Sequence, residues 1–398
     1  GIRYNARDMA IYRASIENIP ILLSTSIPSL ETYKNVKNNK YNFTKLEKRY
    51  KNFSLPNAKI INLNLNKKNK NIWLDVKTLN LVNKFLEKKE QVLFFLNRRG
   101  YAPLMICKNC GHKLSCPNCS IFLTFHKYLN KAICHHCGHK TAVKKICKNK
   151  NINCEFKMYG PGVEKVFSEL KQIFPDKIIK ILSSDFLNKK KETLNLLDDI
   201  EKNKINILVG TQLISKGFNF PNLNCIVVVD ADFSGMGFDL RSNEKNIQLY
   251  NQLSGRAGRF KKDSLIIYQT FNPLDKTLNS ILENKQEKFF EEEIYLREQK
   301  NLPPFCRLIS FIIHSKFEKE GYLEAQKIKK SLSLLKGVDV MGPVASPIFK
   351  IKNKYRIRLL LRSDNKIFIQ KDINKILKKL NISKKIKLTV DVDPLNFS

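Results

Sequence analysis

Two sets of residues in this 398-residue sequence have the types and spacing to do chemistry. The first is cationic. Gln252-Leu253-Ser254-Gly255-Arg256-Ala257-Gly258-Arg259 sets two guanidinium groups three residues apart, on one face if the segment is helical. Each fork donates several hydrogen bonds and stays charged at any working pH, so arginines separated by small residues suit a surface that closes on a polyphosphate. Upstream, an apolar strand over residues 205–209 runs into Gly210-Thr211-Gln212 and then Ser215-Lys216-Gly217-Phe218. A hydroxyl, an ammonium and a glycine after a strand's carboxyl end are the residue types that hold phosphates. A second apolar strand over residues 225–229 ends in Asp230. Gly-Arg-Ala-Gly-Arg by itself is only a basic turn; the ordered series around it is what points to phosphate.

The second set is sulfur. Cys107-x2-Cys110, Cys116-x2-Cys119 and Cys134-x2-Cys137, then Cys147 and Cys154, place eight of the ten cysteines within residues 104–159. A Cys-x2-Cys knuckle aims both sulfurs at one point, so two knuckles close a tetrahedral zinc site with Zn–S near about 2.3 Å, and eight sulfurs imply two ions. A closed four-sulfur site has no open position, which makes such ions structural. Disulfides are the competing reading, but a chain without an export signal belongs in a reducing compartment, and three knuckles of this spacing favour zinc. Cys147-x6-Cys154 lacks the short knuckle, and His112, His126, His135, His136 and His139 lie in the same stretch as alternative ligands or solvated groups.

Both sets need a scaffold. Strand 59–63, helix 75–89 and strand 91–96 precede the cysteines; helix 163–174, strand 177–182, helix 193–200 and strands 205–209, 225–229 and 265–269 follow. Such alternation predicts a parallel sheet covered on both faces. At the end of strand 91–96, Asn97-Arg98-Arg99-Gly100-Tyr101 offers arginines to phosphate or DNA, or a salt-bridged surface pair. Ahead of this sheet a helix is predicted over 3–17 and a strand over 19–23. Ser24-Thr25-Ser26-Ile27-Pro28-Ser29 follows, and a helix N-cap before Leu30 explains it as well as a functional motif does. A long helical stretch from Asn272 reaches Leu302-Pro303-Pro304, a break that opens a new domain. Its strand, helix, strand, strand, helix, strand series (307–314, 321–335, 338–341, 355–361, 368–380, 386–392) is the split β-α-β order. There Lys350, Lys352, Lys354, Arg356 and Arg358 beside Tyr355 make a basic edge for DNA or an acidic peptide, or a merely solvated one.

Taken in order, these motifs resemble the second motor lobe of superfamily 2 helicases. Gly210 to Gly217 is similar to motif V and Gln252 to Arg259 to motif VI. Ser24 to Ser29 is similar to motif III, departing from it at Thr25 and Ile27. The lobe is interrupted after Phe94-Phe95-Leu96-Asn97-Arg98-Arg99-Gly100-Tyr101-Ala102-Pro103 and resumes at Gly160-Pro161-Gly162-Val163-Glu164. That arrangement resembles the bacterial primosomal replication-restart helicase family, and the likeness continues through Leu302-Pro303-Pro304-Phe305 and Asp391-Val392-Asp393-Pro394.

The resemblance implies an α/β fold: a RecA-like helicase lobe with a parallel sheet, a cysteine-rich double-zinc insertion and an α+β split βαβ carboxyl-terminal domain. Residues 1–50 would end a first lobe, 51–271 form the second with the insertion at 104–159, and 272–398 bind DNA and partners. Cys107, Cys110, Cys147 and Cys154 would hold one zinc ion and Cys116, Cys119, Cys134 and Cys137 the other. Arg256, Arg259 and Gln252 would be catalytic; Gly210, Thr211, Gln212, Lys216, Gly217 and Asp230 would couple nucleotide to DNA. ATP and Mg²⁺ would serve the whole protein, a 3′-to-5′ helicase that remodels abandoned forks and helps reload the replicative helicase. Its implied partners are branched and single-stranded DNA, single-strand-binding protein, primosomal proteins and the replicative helicase.

Composition agrees with parts of this. The formal charge of +36 and pI near 9.8 point to a polyanion partner, although Lys scattered among Asn and Ile is also what a compositional bias gives. Hydrophobic residues at 42% suit a globular chain. No run of about 18 apolar residues occurs and the start has no signal-peptide pattern, so the expected location is cytoplasmic, at the nucleoid, without a membrane partner. No Gly-x4-Gly-Lys-Ser/Thr loop and no Asp-Glu-x-His box is present. The chain, which begins without Met and in what reads as mid-domain, is therefore expected to be a fragment unable to hydrolyse ATP alone. The alternative is a non-catalytic, zinc-stabilised nucleic-acid-binding scaffold.

Overall fold

A computed structural model describes residues 5–46, 55–65, 73–97, 104–107, 114, 116–117, 123–126, 131–133, 139–142, 156–159, 162–182, 190–211, 220–232, 240–258, 263–283, 285–364 and 369–395. Along the chain, β1 (Asn57–Asn62) and β2 (Gln91–Phe95) precede five short strands. These are β3 (Leu104–Cys107), β4 (Thr124–His126), β5 (Lys131–Ile133), β6 (Lys140–Ala142) and β7 (Phe156–Tyr159). Then come β8 (Ile179–Leu182), β9 (Ile207–Gly210), β10 (Leu223–Val228) and β11 (Leu265–Thr270).

β1, β2 and β8 to β11 make a six-stranded sheet in the order β1-β11-β10-β2-β9-β8, every pair parallel. Its central strands β2, β9 and β10 read as nearly unbroken apolar runs because both faces are covered. Side chains alternate between two cores. Leu93, Phe95, Leu208, Ile226, Val228, Ile266 and Tyr268 face helices Lys190–Glu201, Ser242–Ser254, Lys276–Leu282 and Gln286–Gln299. Val92, Phe94, Val209, Val227 and Ile267 face helices Val76–Glu87 and Val163–Ile173, which contribute Val82, Leu86, Val163, Val166 and Leu170.

The N-cap reading of Ser29 holds. Its side chain accepts from Thr32 N at 3.3 Å and starts helix Leu30–Lys37. Ile27 and Leu30 are buried in the first of the two cores. One expectation fails here. Residues 19–23 are not a strand; no described strand lies alongside to complete a ladder, and Leu22 is 91% exposed. The long helical stretch after Asn272 is present as two helices, with Lys285 N closing on the Ser280 carbonyl at 3.0 Å between them, a wider turn than an α-helix continues.

β12 (Cys306–Ser315), β13 (Val338–Ile351), β14 (Lys354–Asp364) and β15 (Lys387–Val392) form a separate antiparallel sheet in the order β13-β14-β12-β15. Helices Glu318–Leu332 and Gln370–Lys379 connect and cover it, which is the split β-α-β arrangement. β13 runs ten residues beyond the predicted end at 341 because it passes Gly342 and Pro343 through register shifts instead of stopping there. Gly342 sits at φ +97, where an added Cβ would meet the Arg358 carbonyl at 2.7 Å.

Candidate functional site

Because the six strands run parallel, their carboxyl ends share one edge. Gly210 closes β9 there, its carbonyl accepting from Leu96 N at 2.9 Å, and buried Thr211 follows. Beyond β10, Val229 N donates to the Phe95 carbonyl at 3.0 Å and Ala231 N to Gln269 at 2.9 Å, so Asp230 lies between two anchored residues on the same edge. Asp232 then accepts from the Thr270 hydroxyl and from Phe271 N at 2.6 Å, fixing the loop that leaves β11.

The arginine turn is elsewhere. Helix Ser242–Ser254 ends at Ser254, and Gly258 adopts φ +66 and donates its N–H to the Leu223 carbonyl at 3.2 Å. Leu223 is the first residue of β10, so Arg256 lies near the amino edge; along the strands Leu223 is some five positions, or about 17 Å, from the level of Gly210, and Asp230 is farther still. Arg256 is thus in a turn beyond the end of the helix, ahead of Gly258 in the left-handed conformation. Gln252 is exposed on the last helical turn.

Buried charge gathers at the other end of the same helix. Arg241, 6% exposed, pairs with Glu31 at 2.5 Å and Glu244 at 3.3 Å. Burial pushes the Glu31 carboxyl up, but the hydrogen bond and charge of Arg241 outweigh it, holding Glu31 at about 2. Glu244 goes the other way: burial and the Glu31 charge raise it, and its contacts with Arg241 and Arg297, at 3.3 and 3.8 Å, are too long to offset them.

In the cysteine-rich region the strands form an antiparallel sheet, β6-β5-β4-β3-β7. Cys107, the last residue of β3, pairs with Phe156, which stands two residues after Cys154 in the sequence. Cys116 is buried with Leu123 and Ala132, and Ala132 precedes Cys134 by two residues. Among the described residues only Cys107 and Cys116 of the expected ligands are seen, and a donor set of thiolates on short knuckles fits structural zinc. The other two cysteines, Cys225 and Cys306, are buried in the larger sheets, where burial pushes the Cys306 thiol up to about 11. Ile351 packs against the Cys116 cluster and Lys350 Nζ donates to the Pro117 carbonyl at 3.4 Å, so the β13–β14 hairpin of the carboxyl-terminal sheet rests on this region.

Three family models match this chain. A helicase conserved C-terminal domain matches residues 139–261, a PriA DNA helicase Cys-rich region domain residues 116–141 and a primosomal protein N C-terminal domain residues 298–395. The replication restart protein PriA of Rickettsia conorii is 36% identical over 397 residues, covering 100% of this chain and 61% of that protein. The PriA of Haemophilus influenzae is 34% identical over 402 residues, covering 100% and 54%. That of Bacillus subtilis is 30% identical over 398 residues, covering 98% and 49%. The chain belongs to the PriA replication restart family. It spans between about half and three-fifths of the length of these relatives and matches the carboxyl-terminal portion of the family.

Within a PriA-family chain the three units fall into place as a RecA-like helicase lobe, a cysteine-rich zinc region and an antiparallel carboxyl-terminal domain. Of the residues singled out in the sequence, Gly210, Thr211 and Asp230 share one edge, and Gln252 and Arg256 lie towards the other. Gln212, Lys216, Gly217, Arg259, Arg98, Arg99 and six of the eight cysteines (Cys110, Cys119, Cys134, Cys137, Cys147 and Cys154) lie outside the described residues. Sequence reasoning missed Glu31, Arg241, Glu244 and Arg297. An isolated charge gives no sign of burial; the one available signal was Arg241 and Glu244 three residues apart on an otherwise apolar-periodic helix.

Proposed function

We propose that this chain is the carboxyl-terminal portion of an ATP-dependent 3′-to-5′ DNA helicase that recognises and remodels abandoned replication forks and promotes reloading of the replicative helicase. The observation that supports it is the succession of a PriA-type cysteine-rich, a helicase C-terminal and a primosomal C-terminal match along one chain whose parallel sheet is interrupted between β2 and helix Val163–Ile173. In this reading Arg256 and Arg259 face a nucleotide held by a preceding lobe, where a transition-state guanidinium contributes some 10³ to 10⁵ in rate. Thr211 stands at one sheet edge and Phe220 is followed by β10, which begins at the other, and in this reading Gln212, Lys216 and Gly217, which lie between them in the sequence, couple nucleotide to DNA. Cys107, Cys110, Cys147 and Cys154 would hold one zinc ion and Cys116, Cys119, Cys134 and Cys137 a second, both structural. Single-strand-binding protein and primosomal proteins are the partners proposed, at the nucleoid.

The test uses the complete protein that carries these residues. Arg259→Ala is expected to leave fork binding within about twofold while DNA-stimulated ATP hydrolysis falls by about 10³ or more. Unchanged hydrolysis would refute the placing of Arg259 at the nucleotide. Fork binding with no ATP hydrolysis by the unsubstituted protein would favour a scaffold.

A further inference from the structure

One buried cluster takes no part in either the phosphate-handling or the metal group. It joins three helices. From the amino end of Ser242–Ser254, Arg241 reaches Glu31 at 2.5 Å and Glu244 at 3.3 Å, and Glu244 accepts from Leu30 N at 3.4 Å. From Gln286–Gln299, Arg297, 2% exposed, lies 3.8 Å from Glu244 and 3.0 Å from Glu293. Its two terminal nitrogens donate to the carbonyls of Pro303 and Leu240, each at 3.0 Å. Lys34 completes the junction from Leu30–Lys37, donating to Pro304 O at 3.3 Å with its ammonium 3.4 Å above the Phe305 ring.

Buried charge is a poor source of stability, since desolvation of the ions offsets most of their attraction and an apolar replacement of equal volume is often neutral. What guanidinium forks supply is direction: several donors fixed in one plane. Here they fix where Leu30–Lys37 begins, and Ser29, which closes the Ser24–Ser29 turn, caps that helix while its hydroxyl also accepts from Arg7. They fix it against a 13-residue helix, about 20 Å of rigid rod, whose far end delivers Arg256.

We propose that Arg241 and Glu244 are positioning residues that clamp the Ser24–Ser29 turn, through Glu31 and the Leu30 amide, to the helix presenting Arg256, with Arg297 extending the clamp to the start of the carboxyl-terminal domain. This deepens the ATP-dependent reading above and rests on it. Movement of the Ser24–Ser29 turn is then passed to the arginine turn and to Pro303 together, so that nucleotide state and DNA grip change in step. Cutting the clamp leaves hydrolysis running but wasteful.

The experiment compares Glu31→Gln, Arg241→Gln and the double variant of the complete protein, reading ATP consumed per base pair separated on forked DNA, KM for ATP and melting temperature. Each single variant is expected to raise ATP per base pair by at least about fivefold with KM for ATP within about twofold, and the double to be no worse than Arg241→Gln, which already cuts the contact that Glu31→Gln removes. Arg241→Lys keeps the charge and loses the fork; it should retain the melting temperature and still waste ATP, and it carries the test if Arg241→Gln does not fold. An unchanged ratio in the single variants, or effects that multiply in the double, overturns the clamp. Absence of DNA-stimulated hydrolysis in the unsubstituted protein overturns the functional reading and the clamp together.

Discussion

Leu30→Ala should destabilise the parallel-sheet unit by about 3 kcal/mol. Leu30 is 0% exposed and shares a core with Ile27, Tyr250, Leu253, Phe289 and Phe290. The substitution removes three carbon groups, worth about 2.4 kcal/mol at about 0.8 each. A residual cavity of about 40 Å³, at about 24 cal/mol per Å³, adds about 1 kcal/mol. The readout is urea unfolding followed by the fluorescence of Trp73, the one tryptophan of the chain. Trp73 reports this unit specifically: its backbone N–H donates to Glu169 at 3.3 Å and its ring lies 5.5 Å from Lys165 Nζ, both on helix Val163–Ile173. With a urea slope of about 2 to 3 kcal/mol per molar, the midpoint should fall by about 1 M or more. Leu22→Ala, eight residues earlier at 91% exposure, should change stability by less than about 0.5 kcal/mol. If Leu30→Ala costs under about 1 kcal/mol, or matches Leu22→Ala, residues 27–37 are not part of this core and the buried clamp loses its footing.

Acid should act on the same junction. Glu31 ionises at about 2 against an ordinary 4.5, so the stability it contributes is fully present above pH 4.5 and is lost as pH falls towards 2; Arg241→Gln should abolish that loss in acid titrations monitored by Trp73, and an unaltered profile would contradict the pairing. In the cysteine-rich region, metal analysis should return two zinc ions per chain, and a value of one would remove the double site. Ile351→Asp should speed zinc removal by a chelator severalfold while circular dichroism shows the carboxyl-terminal sheet intact, because the hairpin that rests on Cys116, Leu123 and Ala132 would be lifted; an unchanged rate would show that the contact does not shield the metal.

Much of the fold was legible because the signals are periodic and local. Apolar runs such as Gln91–Phe95 and Leu223–Val228 leave no polar face to solvate, so they read as parallel strands, and the 3.6-residue spacing of Leu79, Val82 and Leu86 reads as a helix. The order of strands and helices after Pro304 was enough to give the split arrangement. What escaped depends on contacts distant in sequence. Residues 19–23 have strand-forming side chains and no neighbouring ladder. β13 looks finished at Gly342-Pro343 yet continues because β14 supplies hydrogen bonds on either side of the shifts. Glu31 and Arg241 are 210 positions apart, and neither charge announces that folding will bury it.

The arginine motif shows the same division. Its composition is readable, but its placement follows from topology: β9 and β10 are parallel, so the chain leaving Thr211 at the carboxyl edge must reach Phe220 near the start of β10, where Gly258 is anchored on Leu223. The turn is fastened at one point by a backbone hydrogen bond and on its other side by a helix whose amino end is locked in the Glu31–Arg241–Glu244 cluster. Substituting Gly258 would therefore disturb the turn directly, since a side chain at φ +66 costs about 1 to 2 kcal/mol. Gly255 is different: its added Cβ would meet only the Gln252 and Asn251 carbonyls at 3.4 and 3.5 Å, ordinary contact. The two glycines thus have separate duties, Gly258 conformational and Gly255 permissive.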